Sequence, residues 1–382
     1  MLTSPPMPSK FNVVDAHQDL AFSMLSHGRR FDSDSGDFML TESAWRRGGL
    51  KWSWCTLFVH PDYAAAGYLN RAVDAELAIY RKIVARNPGR YRMVESADDL
   101  HSLTRSDGAV GISILMEGAD PVSEPAALDA FSAAGVRALG LVWHGANKFA
   151  AGNYAEGGLT ADGCELLRRA AALGMAVDLS HLNRESFWDV VEFRKSKIPE
   201  LKLYASHSNA DAVCPHVRNL DDRQLAAVRE AGGAVGVVLF NDYLDPRWER
   251  TEFGEFAPVP PETIWEGDPT PEQIAVKLLE PQYTEPKLAR SAPEAEPPKR
   301  EVGLDIVLEH IDHLAYMLGE NRVGLGSDFD GGLNRWNTPA PIRDFGDIGI
   351  LGETVAARKG DAFAAKFMGE NWFQFWMEAL PQ

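Results

Sequence analysis

Phe11-Asn-Val-Val-Asp-Ala-His17-Gln-Asp19-Leu20 is an apolar run that stops on a histidine and a carboxylate two residues apart. On an extended strand alternate side chains share a face, so His17 and Asp19 point the same way and can grip one metal ion. Alone, His-x-Asp equally describes a turn histidine followed by a capping aspartate. The two readings separate if further apolar runs end alike. Val110–Met116 runs into Glu117, Val136–Trp143 into His144, Ala176–Leu179 towards His181, Leu203–Ser206 into His207 and Val323–Gly326 towards Asp328.

These runs belong to a longer rhythm. Asn12–Ala16, Lys51–Val59, Val110–Met116, Val136–Trp143, Ala176–Leu179, Leu203–Ser206, Ala234–Phe240 and Val323–Gly326 are short and β-prone. Segments of helical period lie between them, such as Ala64–Asn87, Thr160–Leu173, Asp221–Glu230 and Val302–Leu318. Eight strands alternating with helices predict an α/β chain folded as a (β/α)8 TIM barrel, with function at the C-terminal strand ends. A doubly wound open sheet is the alternative fold, since strand count does not show closure. The chain, 1–382, reads as one barrel domain. Two stretches break the rhythm. His27–Gly49 is polar and Gly-rich and reads as a long loop. Residues 242–300, after the seventh run, hold 11 of the 23 prolines with 13 acidic and 7 basic residues. They read as a Pro-rich insertion of loops with one short helix at Pro271–Glu280, rising from the functional face as a lid, an oligomer contact or a solvated loop.

The net charge of 38 − 55 = −17 and a pI near 5.0 argue against nucleic acid or an anionic membrane as partner, and for a small molecule or peptide. Three scattered cysteines form neither a disulfide framework nor a metal knot. The start is not of signal-peptide type, and no apolar run approaches the ~18 residues of a membrane span. The expected location is cytoplasmic.

Four histidines and three carboxylates on one rim are too many for one tetrahedral zinc, and suit two ions bridged by a carboxylate and a hydroxide. His27, His60, His101, His310 and His313 fall in loops or helices and read as structural.

At Asp15-Ala-His17-Gln-Asp19, Met116-Glu117-Gly118, Leu141-Val-Trp-His144 with Asn147, Gly158-Leu-Thr160, Gly174-Met-Ala-Val-Asp-Leu-Ser-His181, Ser206-His207-Ser208, Arg218-Asn219 and Gly324-Leu-Gly-Ser-Asp328-Phe-Asp330-Gly331, the chain resembles the renal (membrane) dipeptidases, the M19 metallopeptidases of the amidohydrolase superfamily. The resemblance implies a TIM barrel holding two Zn2+ ions per chain, with His17 and Asp19 on one, His181 and His207 on the other and Glu117 bridging. Asp328 matches the aspartate that touches the hydroxide, His144 the histidine beside the substrate carbonyl, and Arg218 the arginine that holds the dipeptide's carboxylate. Asn219 and Tyr243 are expected to shape the pocket. Ala16 and Gln18 stand where such proteins usually carry Gly and Asn, and the 242–300 insertion exceeds what most relatives have there. The implied activity is zinc-dependent hydrolysis of dipeptides with a free C-terminal carboxylate, extending to L-Xaa-D-Xaa, and the family admits a homodimer. A hydrolase of a non-peptide amide, such as an N-acyl amino acid or lactam, is the second reading. A non-catalytic metal-binding scaffold is the third.

Overall fold

Short Val-, Ile- and Leu-rich runs that are buried along their whole length pair side by side as parallel strands, as expected when both faces of a sheet are covered. The computed structural model describes residues 9–33, 38–249, 260–283, 285 and 300–382. Its strands are β1 (Val13–Gln18), β2 (Leu50–Leu57), β3 (Tyr91–Met93), β4 (Val110–Met116), β5 (Val136–Gly140), β6 (Ala176–Asp178), β7 (Leu203–Tyr204), β8 (Val235–Val237) and β9 (Val323–Leu325). All pairings are parallel, in the order β7-β6-β5-β4-β2-β1-β9-β8, and β3 attaches to β4 off this path. The ring closes between β7 and β8 through the Ala205–Val235 bridge, with Ala205 N–H donating to Ala234 O and Gly236 N–H to Ala205 O, each at 2.9 Å. Each of the eight expected runs overlaps one barrel strand, so the barrel replaces the open-sheet alternative.

At this seam the chain has no room for side chains. A Cβ on Gly236 or Gly326 would lie 1.9 or 1.8 Å from the Ser206 carbonyl oxygen. At the other end of the strands, the helix Asn371–Ala379 packs across their starts: the Asn371 amide donates to Glu320 O and Val323 O, and Trp376 stacks on Trp54 at 3.8 Å. Trp52, Trp54, Tyr204, Trp372 and Trp376 are all buried there. Burying one large apolar side chain contributes roughly 1.5–3 kcal/mol, so this cluster anchors the end remote from the strand tips.

The first and last strands are joined by more than their ladder. Ser327 donates its N–H and Oγ–H to the two oxygens of buried Asp15 at 2.8 and 2.6 Å, Asp328 N–H donates to His17 O, and Asp19 N–H to Phe329 O.

The loop expected over His27–Gly49 contains a helix, Glu42–Gly48, started by Thr41 Oγ1 accepting from Ala44 N–H. Propensity alone misread it, because its apolar face is only Ala44 and Trp45. Of the inserted stretch, helices Pro261–Ile264 and Pro271–Leu279 are described, and the loops expected at 250–259 and 286–299 lie outside the described residues. The second helix begins with proline in its first turn and a Thr270/Gln273 capping box. No helix among the described residues is long and apolar enough to cross a membrane.

Candidate metal centre

Strand tips deliver the site. His17 lies in β1, Asp19 just past it, and Glu117, His181, His207 and Asp328 follow β4, β6, β7 and β9 within a few residues. His17 Nε2 is 3.3 Å from Glu117 Oε2, 3.5 Å from Asp19 Oδ2 and 3.8 Å from Asp328 Oδ1. On the other side, Glu117 Oε1 lies 2.9 Å from His181 Nε2 and 3.8 Å from His207 Nε2, and the two imidazole nitrogens are 2.9 Å apart. The Glu117 carboxylate thus spans the two histidine groups. His17, Glu117 and His207 converge on one point, and His17, Asp19 and Asp328 on a second.

Hydrogen bonds behind the rim set which nitrogen faces it. Ser206 Oγ–H donates to Asp178 Oδ2 at 2.5 Å, so the same oxygen can only accept from His17 Nδ1–H at 2.9 Å and from His207 Nδ1–H at 2.7 Å. In their neutral form both rings therefore turn a free Nε2 lone pair to the rim, the tautomer a metal needs. Asp178 is itself held by Ser180 Oγ–H at 2.6 Å and by Ser206 N–H at 2.9 Å. Asp178 and Ser206 were missed in the sequence. The available signal was an aspartate inside the apolar run Ala176–Leu179 and a serine directly before His207.

Electrostatics point the same way. Burial alone would lower His17, yet Glu117, Asp19 and Asp328 lift it to about 10. Burial would raise Glu117, and His17 and His181 hold it well below the carboxylate range. Burial raises Asp19 well above its usual value, and lifts Asp328 to about 7. Three carboxylates that would bind a proton at His17 would bind a metal cation in its stead. His17 Nε2 and Asp19 Oδ2, both buried, have no hydrogen-bond partner among the described residues. Two such orphaned atoms, with nitrogen and oxygen donors around them, fit one or more divalent ions.

His144 stacks on Trp143 at 3.7 Å between ring centres and lies 5.3 Å from the His181 ring. Burial, reinforced by the Arg218 cation, lowers it to about 4, which leaves a neutral ring that can donate one hydrogen bond. Arg218 is buried: its guanidinium donates to Ser180 O and, at 3.2 Å, to His207 O, lies 3.3 Å from His181 Nε2, and sits 5.6 Å over the Tyr243 ring. Its Nε has no partner, and among the described residues no carboxylate lies within ion-pair distance of it. Asn219, expected to shape the pocket, has its amide engaged by the backbone, donating to Cys214 O and Tyr243 O and accepting from Asn209 N–H. It fixes the loop that carries Arg218. Tyr243 lies against His216, the one histidine no sequence pattern singled out, at 4.6 Å. His216 Nδ1 accepts from Arg218 N–H at 3.2 Å.

His310 ties these loops down: its Nδ1 accepts from Ala210 N–H at 3.1 Å and its Nε2–H donates to Leu244 O at 3.0 Å. Burial lowers its pKa to about 4, against the opposing pull of Leu244 O. An unfolded chain binds a proton at His310 below about pH 6.5, whereas the folded one does so only near 4. Stability is therefore lost as pH falls through that window, by up to about 3 kcal/mol. Denaturant midpoints at pH 7 and pH 4.5 should show wild type losing about 2 kcal/mol more than His310→Gln. Equal losses in the two proteins would remove His310 as the source.

A sequence model of the membrane dipeptidases, peptidase family M19, matches residues 5–380. A Klebsiella pneumoniae protein, described as uncharacterized and in the pqqA 5′ region, is 31% identical over 309 residues, which cover 78% of this chain and 93% of that protein. A Rhodobacter sphaeroides metallopeptidase crystallised with a phosphinate mimic of the dipeptide L-Ala-D-Ala aligns at a TM-score of 0.73 with 27% identity, over 97% of this chain and 99% of the other. Dipeptidase AC, an M19 metallopeptidase, aligns at 0.74 and 27%, over 99% and 100%. A family match along almost the whole chain, on a barrel whose rim gathers these donors, makes this chain a member of the membrane dipeptidase family, peptidase family M19.

Proposed function

We propose that this chain is a binuclear zinc dipeptidase that cleaves dipeptides with a free C-terminal carboxylate, including L-Xaa-D-Xaa substrates. The observation that carries the reading is Arg218, a buried cation with no carboxylate partner among the described residues, beside the histidine and carboxylate rim. A planar guanidinium suits a substrate carboxylate, and burying one unpaired costs several kcal/mol unless an anion joins it. Family membership supports metal-dependent dipeptidase activity, and the phosphinate mimic bound by the Rhodobacter protein supports the L,D preference.

His17 and Asp19 would hold one ion, His181 and His207 the other, and Glu117 both, with Asp328 alongside. Such ions supply Lewis acidity and an activated water at neutral pH. Neutral His144 donates to the oxygen of the scissile carbonyl as negative charge gathers there; losing such a donor typically costs ~3 kcal/mol. Asp328 accepts the proton of the attacking water and delivers it to the departing amine. Arg218 orients the substrate by its carboxylate, so the amide lies between Arg218 and Glu117.

The test is amino acid release from L,L and L,D dipeptides, their C-terminal amides and N-acyl amino acids, by zinc-reconstituted protein. Turnover of dipeptides and none of the amides is expected. Turnover of the N-acyl compounds alone would move the chain to the non-peptide reading, and silence throughout with zinc bound to the scaffold one.

A further inference from the structure

Beyond Glu117, on the arc of the rim formed by β2, β4 and β5, lies a cavity of about 270 Å³. Phe58, Pro61, Ala64, Leu69 and Trp143 form its apolar walls, and the Phe58 and Trp143 rings meet at 4.9 Å. Among the described residues its charged lining groups are the carboxylates of Glu117 and Asp120. Arg218 sits on the neighbouring arc, against the residues that follow β6 and β7, and the Glu117–His181 contact lies between the two.

That arrangement gives the site a direction. A dipeptide whose carboxylate meets Arg218 and whose amide lies at Glu117 extends its N-terminal residue into this cavity. The Asp120 carboxylate at the edge suits the residue's ammonium group, while the walls suit an apolar side chain. Size selects further, because a dry apolar cavity of roughly 150 Å³ already accepts a benzene ring.

One wall is held from outside. Leu69 opens the helix Leu69–Arg86, against which the inserted helix Pro271–Leu279 packs. Next to Leu69, Tyr68 stacks on Trp265 of the insertion at 5.4 Å. The Arg71 guanidinium covers the other ring at 4.4 Å and binds Pro269 O at 3.0 Å and Asp268 at 2.7 Å. A segment that leaves the barrel after β8 thus returns to brace the wall beyond β2.

We propose that this cavity is the subsite for the dipeptide's N-terminal side chain, that it selects a large apolar or aromatic residue, and that the insertion sets its width through the Trp265–Tyr68–Arg71 contact. The assignment rests on the dipeptidase reading above. Its test is kcat/KM of the full, zinc-loaded protein on Gly-, Ala-, Leu-, Phe- and Trp-D-Ala, with Ala64→Trp and Trp265→Ala compared after their circular dichroism is matched to wild type. Phe- and Leu-D-Ala are expected to exceed Gly-D-Ala by about tenfold or more in wild type. Ala64→Trp should cut the Phe-to-Gly ratio about tenfold, and Trp265→Ala should reduce it through KM rather than kcat. A wild type that cleaves the series without preference, or variants that keep the wild-type ratio, overturns the subsite and leaves the dipeptidase reading standing. Cleavage of none of the five, nor of the matching L,L dipeptides, removes both.

Discussion

Asp328→Asn should fold, bind at least one metal and lose kcat by about 10²–10⁴-fold with little change in KM. The choice of asparagine matters. Asp328 sits in the left-handed region at φ 62°, which asparagine adopts more readily than most residues, so the backbone is preserved. Its N–H bond to His17 O is also unaffected. What disappears is the carboxylate, lifted to about 7 by burial and placed 3.8 Å from His17 Nε2. A carboxylate held at the rim beside the water that attacks is placed to take its proton and return it. Steady-state kinetics on an L,D dipeptide, with metal content by elemental analysis, separates the outcomes. Near-native turnover would exclude Asp328 from the proton path, and loss of all metal would recast it as a ligand foremost.

Gly326→Ala is expected to destroy the fold, not tune it. The new Cβ would lie 1.8 Å from the Ser206 carbonyl oxygen and 3.2 Å from the Gly236 Cα. Both neighbours are backbone, so no rotamer change relieves the clash, and overpacking of this kind costs about 3 kcal/mol or more. Ser206 cannot retreat, because its side chain holds both His17 and His207. Loss of soluble protein, or a thermal midpoint many degrees below wild type, is the expected result. Gly89→Ala, where a Cβ meets nothing within 4 Å, is the control and should lie within about 0.5 kcal/mol of wild type. A normally stable Gly326→Ala would show that the β7–β8–β9 seam has slack.

The barrel was legible because parallel strands buried on both faces are written as continuous apolar runs, and each of the eight stands out against its helical neighbours. The strand β3 was not: Tyr91-Arg-Met93 is three residues with one exposed charge, and only the edge of β4 makes it a strand. The rim histidines and carboxylates were readable from their place after the runs. Their supports were not, because Asp178 and Ser206 are 28 residues apart and meet only when β6 and β7 lie side by side. Asn219, expected to shape the pocket, has its amide bonded to three backbone groups that no pattern in the sequence announced. For the insertion, a stretch poor in Gly and Pro announced the helix Pro271–Leu279, but no local pattern could say that it docks on Leu69–Arg86.

The bonds between Asp15 and Ser327 span 312 residues of chain. On a ribosome adding roughly 5–20 residues per second, the first strand waits on the order of 15–60 s for the partner that completes its half of the centre. Until then the nascent chain exposes one side of β1, and His17 and Asp19 stand without Asp328. The protein is therefore obliged to finish synthesis before it can finish its site, so a stalled or prematurely terminated product released before Ser327 is without the full donor set.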